Sequence, residues 1–140
     1  MRKIFMAVAF IFAMTLAATS NAASWAYATI TAEGAWYIDR DSVYLDRNEN
    51  GDVIFHAFVK KELSGKERAK PENENISHII YLEEFARHEG VKYAHVLSST
   101  TYLTNHKVGG EDKSPSDWWV IVPESVADYL FDTAYRFLNI

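Results

Sequence analysis

The chain has 140 residues, no cysteine, and 14 basic against 19 acidic side chains. An acidic balance repels phosphate backbones and anionic lipid surfaces, which argues against nucleic acid as a partner. The missing cysteines exclude disulfide staples, a thiol nucleophile and the cysteine of a lipid anchor.

Arg2 and Lys3 open the chain, and Ile4 to Ala18 follows as an uncharged run of 15 residues. That is short of the roughly 20 apolar residues needed to span a bilayer. Ser20-Asn21-Ala22 places small residues at the two specificity positions of a signal-peptidase site. Residues 1–22 therefore read as a cleavable secretory signal peptide. Cleavage leaves residues 23–140, a single domain with 12 basic and 19 acidic side chains. This mature chain is expected in the periplasm or outside the cell, with no membrane span and no lipid anchor. With no cysteine in an exported domain, packing alone has to hold the fold.

Trp25 to Thr31 and Ala35 to Asp39 read as short strands, and extended structure resumes at Val43-Tyr44-Leu45. Asn48-Glu49-Asn50-Gly51 carries the Asn-Gly hairpin signal. From Asp52 to Leu63 the pattern alternates, with Val53, Phe55, Ala57 and Val59 on one face and Ile54, His56, Phe58 and Lys60 on the other. Ser64 to Asn75 reads as a charged loop, because Pro71 and the lack of an apolar stripe oppose a helix. Ile76 to His88 and Val91 to Thr104 are two long strands around a Glu89-Gly90 turn. Asn105 to Asp117 reads as a second loop, and Trp118 to Val122 as a short buried strand. The period then changes. Ser125 is the expected N-cap of a helix whose buried stripe is Val126, Tyr129, Leu130, Thr133, Ala134, Phe137 and Leu138. The expected fold is α+β: a single antiparallel β-sheet of about five to six strands with one C-terminal α-helix packed on a face.

Chemical motifs are sparse. Asp46-x-Asn48-x-Asn50-Gly51-Asp52 matches the front half of a calcium loop, but Ala57 stands where a bidentate Glu is required. It is read as a hairpin turn. The histidines at 56, 78, 88, 95 and 106 have no metal-ligand spacing, so no metal and no cofactor are expected. There is no nucleophile elbow, phosphate loop or dinucleotide fingerprint. Glu83 and Glu84 are adjacent, so on a strand they point to opposite faces and cannot form a catalytic dyad. No catalytic residue is assigned. Trp118 and Trp119 likewise point apart, one expected toward the core and the other at the surface. If successive strands are antiparallel, the two long loops share one end of the sheet. That end would gather Lys66, Arg68 and Lys70 with His106, Lys107 and Lys113, a basic surface that could steer an acidic protein partner.

Several segments in order resemble the bacterial surface-adhesin protein E-like family. They are Trp25; Trp36-Tyr37-Ile38-Asp39-Arg40-Asp41-Ser42-Val43; Glu84-Phe85-Ala86; Tyr93 to Thr100; Ser114-Pro115-Ser116-Asp117-Trp118; and Ile121 to Val126 with the final helix. The resemblance covers most of residues 23–140. It implies an exported, non-catalytic binding module with a helix laid on an antiparallel sheet, whose partners are host extracellular-matrix or envelope proteins. Ala86 and Tyr135 stand where the family places a cysteine pair, so the resemblance implies that these two are neighbours. The other reading is a periplasmic accessory or structural protein of an envelope complex.

Overall fold

The computed structural model describes residues 23–140, and the expected signal segment, residues 1–22, lies outside the described residues. Eight strands form one antiparallel sheet: β1 (Trp25–Thr31), β2 (Gly34–Asp39), β3 (Tyr44–Glu49), β4 (Asp52–Leu63), β5 (Ile76–His88), β6 (Val91–Leu103), β7 (Val108–Asp112) and β8 (Trp119–Val120). The spatial order is β1-β2-β4-β5-β6-β7. β3 and β2 share one edge of β4, β3 beside Asp52 to His56 and β2 beside Val59 to Leu63. A single long helix, α2 (Val126–Tyr135), lies on one face; α1 (Gly65–Arg68) is one turn. The architecture is the expected α+β sheet with a C-terminal helix. The strand count exceeds five to six because short edge strands are added.

The alternation in β4 sorts its side chains as the pattern requires. Val53, Phe55, Ala57 and Val59 are buried under α2 together with Ile38, Phe85 and Ala94. Phe55 stacks on Phe85 with ring centroids 5.3 Å apart, and Phe131 of α2 closes on Phe55 edge-on at 5.1 Å. Asn50 and Gly51 both have positive φ, the backbone that an Asn-Gly hairpin turn supplies cheaply. Gly34 pairs with Leu63, and a Cβ there would collide with the Glu62 carbonyl oxygen.

Ser125 caps α2 as expected, its Oγ accepting from the Asp128 N–H at 3.2 Å. The Asp128 carboxylate reaches back to accept from the N–H of Glu124, the residue before the cap, at 2.9 Å, a relative of the capping box. Lys92 on β6 donates to both Asp128 (3.0 Å) and Asp132 (2.7 Å), tying helix to sheet.

Four local expectations change. Ser64 to Asn75 is not all loop: Ser64 caps α1, and Pro71–Asn73 makes a 3-10 turn. Asn105 to Asp117 contains β7, which returns along β6. The helix stripe is rotated, with Phe131 buried and Tyr129 exposed. The Trp118 to Val122 segment is a two-residue edge strand, and only Ile121 of it is buried. Among the described residues, no helix is long and apolar enough to cross a membrane.

Candidate functional site

Between α2 and the sheet lies a cavity of about 280 Å³. Its floor is Trp36 of β2, Tyr81 and Glu83 of β5, and Val96 of β6. The register brings these onto one face: Val59 pairs with both Ile38 and Tyr81, and Glu83 pairs with Ala57 and Val96. Ala57 is too small to fill the space above its neighbour. The roof is the first turns of α2, where Ala127 is flanked by Val126 and Leu130. Trp119 forms the outer wall and is about two-fifths exposed, at 38%.

Glu83 is the chemically unusual member. It is 4% exposed, and no hydrogen bond or counter-charge among the described residues relieves its burial. Desolvation pushes its pKa up to about 8, so the carboxyl is largely protonated at neutral pH. Burial, and then the nearby Glu83, raise the Tyr81 phenol as well. Trp36 and Tyr81 stack with centroids 6.1 Å apart. Trp36 Nε1 is a buried donor with no acceptor. Of the cations on this face, Lys92 pairs with α2 and Arg87 donates to the Tyr135 hydroxyl at 3.0 Å, while Lys61 pairs with Glu33 and lies 5.0 Å from the centroid of the Trp36 ring. An apolar, aromatic-walled cavity holding one unpaired carboxyl is a binding site in form.

Among the described residues, no helix covers the opposite face of the sheet. A row of cross-strand neighbours runs Tyr44, His56, Glu84, His95. His95 Nε2 lies 2.8 Å from Glu84, its Nδ1 faces the Ser116 carbonyl, and Trp118 stacks on its ring at 3.8 Å. Glu83 and Glu84 thus point apart, as do Trp119 and Trp118. Neither tryptophan is fully in the core. Tyr27, Tyr44, Phe58 and Trp118 are exposed on this face.

The carboxylates of the half calcium motif are turned to histidines: Asp46 to His56 at 2.7 Å and Asp52 to His88 at 2.8 Å. The loop residues are only partly gathered. Thr104 N–H donates to the Asn75 carbonyl at 2.7 Å, so His106 and Lys107 stand beside the Ser64 to Asn75 segment. Lys113 does not, because β7 carries the chain back along β6 to Asp112 opposite Ser99. Lys66, Arg68 and Lys70 alternate with Glu67, Glu72 and Glu74 in that segment, and Lys70 pairs with Glu67 at 2.8 Å. The end is charge-balanced along that segment.

Ala86 and Tyr135 are not brought face to face. Tyr135 packs on Phe55 and Arg87, and Ala86, adjacent to Arg87 on β5, projects to the other face. What sequence reading missed is Glu83. Its signal was a carboxyl between Tyr81 and Phe85 on the same strand face, flanked by large apolar rings. Comparison with family models, with curated proteins and with solved structures finds no match to this chain.

Proposed function

We propose that the protein is an exported, non-catalytic binding module whose ligand occupies the cavity under α2. One observation carries this reading: Glu83, an unpaired carboxyl, is kept in an aromatic-walled cavity where an apolar residue would stabilise the fold more. A group that weakens the free protein is accounted for by a ligand that pairs with it. A protein partner, which the resemblance to surface-adhesin protein E implies, is favoured by the uncovered face with Tyr44, Phe58 and Trp118 exposed.

The test is a fluorescence titration with small fragments of every charge type, since Trp36 and Trp119 both line the cavity. Saturable binding by some fragment is expected in the wild type and is lost in Ala127→Trp, which fills the roof. If no fragment binds, or binding survives that substitution, the cavity is not the site. Export is tested separately: mass spectrometry of the secreted or periplasmic product should show Ala23 as the first residue. A membrane-retained chain still beginning at Met1 would remove the export half of the reading.

A further inference from the structure

We propose that the cavity under α2 binds a small organic ammonium ion, its cationic nitrogen paired with the Glu83 carboxylate and enclosed by the rings of Trp36, Tyr81 and Trp119. This rests on the cavity being a ligand site and names the ligand's chemistry. Three features select a cation. The lining supplies one carboxyl and three electron-rich rings, and aromatic faces attract ammonium groups. No cationic side chain lines the cavity, so an anionic ligand would meet an unpaired carboxyl and negative ring faces. Trp36 Nε1, a buried donor without a partner among the described residues, offers no surface to a carbonyl ligand, which leaves only the O–H groups of Glu83 and Tyr81 as donors a neutral ligand would meet. The size, about 280 Å³, sits at the lower end of small-molecule sites and suits a compact amine.

The groups packed around Glu83 leave it free to play this part. β2, β4, β6 and β8 present Trp36, Ala57, Val96 and Trp119, and α2 presents Ala127 and Leu130. None of these ionises, and the nearest cation on β4, Lys61, stands 5.0 Å from the Trp36 ring centroid, where it pairs with Glu33. Tyr81 on β5 is the one ionisable neighbour in the lining, and it is a neutral phenol at working pH. Binding exchanges one cation for another. The Glu83 carboxyl O–H bond breaks, its proton leaves to solvent, and the carboxylate keeps the electron pair opposite the incoming ammonium.

The experiment compares benzylamine, benzyl alcohol and benzoate on the purified protein by tryptophan fluorescence and calorimetry at pH 6 to 8. These probes share one ring and differ in the charge of the side group. Benzylamine should bind at least about tenfold more tightly than benzyl alcohol at pH 8, one ion pair being worth roughly that factor or more. Its affinity should fall by about tenfold for each pH unit below the Glu83 titration, with close to one proton released on binding. Glu83→Gln, which copies the shape of the neutral carboxyl, should erase both the preference and the pH dependence. Benzyl alcohol or benzoate binding as tightly as benzylamine would overturn the ammonium assignment while leaving a ligand cavity in place. Failure of all three probes would overturn the cavity reading with it. Should Glu83→Gln fold poorly, proton release by the wild type still decides: amine binding with no proton released refutes the pairing.

Discussion

Glu83 and Glu84 are neighbours in sequence, and the pleat sends them into different chemistry. Glu84 meets His95 at 2.8 Å on the open face, where its charge has a partner. Glu83 faces rings and methyl groups with none. Its pKa is raised from 4.5 to about 8, so the folded state holds a proton that the unfolded chain releases above pH 4.5. Such a group costs nothing below its unfolded pKa, and its cost is complete once pH passes the folded value. Glu83→Leu should therefore stabilise the protein by a few kcal/mol at pH 8 and by much less at pH 4.5, read from urea midpoints at the two pH values. Equal effects at both would mean that the carboxyl is solvated in the native state. The sequence shows a carboxyl between Tyr81 and Phe85 on one strand face, but that pattern alone does not fix its burial, because a carboxyl in a strand is ordinarily a solvent-facing residue. Only the register that sets Ala57 and Val96 on either side of it, with α2 above, makes the position unusual.

At the scale of elements, much of the fold could be read directly. β4 alternates because one of its faces is core and the other is open, and the period of two survives in the residues. The Asn50-Gly51 turn and the Ser125 cap are local chemistry that needs no tertiary context. The errors are those of context. β7 is Val-Gly-Gly-Glu-Asp, a segment with little strand propensity that is held by backbone pairing to β6. The row of α2 that carries Phe131 is concealed by Ala127, one turn before it, a small residue that a search for large side chains passes over. The helix offers two graded tests. Ser125→Ala should cost about 1 kcal/mol, the usual worth of an N-cap oxygen. Phe131→Ala should cost about 3–5 kcal/mol, since its ring fills the junction with Phe55 and Phe85. Near-equal losses in denaturant would contradict this placement. The implied cysteine pair gives a third test. Ala86→Cys with Tyr135→Cys should stay reduced under mild oxidation, because Ala86 projects from the face of the sheet opposite the one that α2 and Tyr135 cover. Recovery of two free thiols by titration is the expected result, and a cross-link would overturn the register.

Across the whole molecule, ionisable groups pull stability in opposite directions as pH changes. Asp128 sits below the usual carboxylate range because it accepts from the Glu124 N–H and pairs with Lys92. Asp52 is held low by its hydrogen bond to His88. Carboxylates of this kind stabilise the fold above their unfolded pKa, and that contribution disappears as pH falls through the folded value. His78 has its pKa lowered by burial, so charging it in the unfolded chain also weakens the fold as pH drops below about 6.5. Glu83 and His88 act in the other sense. His88 is raised by Asp52, so its contribution is present below 6.5 and is lost as pH rises through the folded value. Glu83 loses stability continuously from pH 4.5 to about 8. Exposed pairs weigh little against a buried carboxyl, so Glu83 sets the neutral limb, and the partly exposed aspartates with His78 give a shallower acid limb. The stability profile should therefore peak at mildly acidic pH, near 5, decline toward pH 8 and fall more gently below pH 4. Urea midpoints collected from pH 3 to 9 measure it. In Glu83→Gln the alkaline decline should shrink and the maximum should move toward neutrality, with the acid limb unchanged. A wild-type profile still rising between pH 6 and 8 would show that Glu83 does not govern that limb. With saturating benzylamine the decline should also flatten, since the bound ammonium stabilises the carboxylate that the empty cavity disfavours.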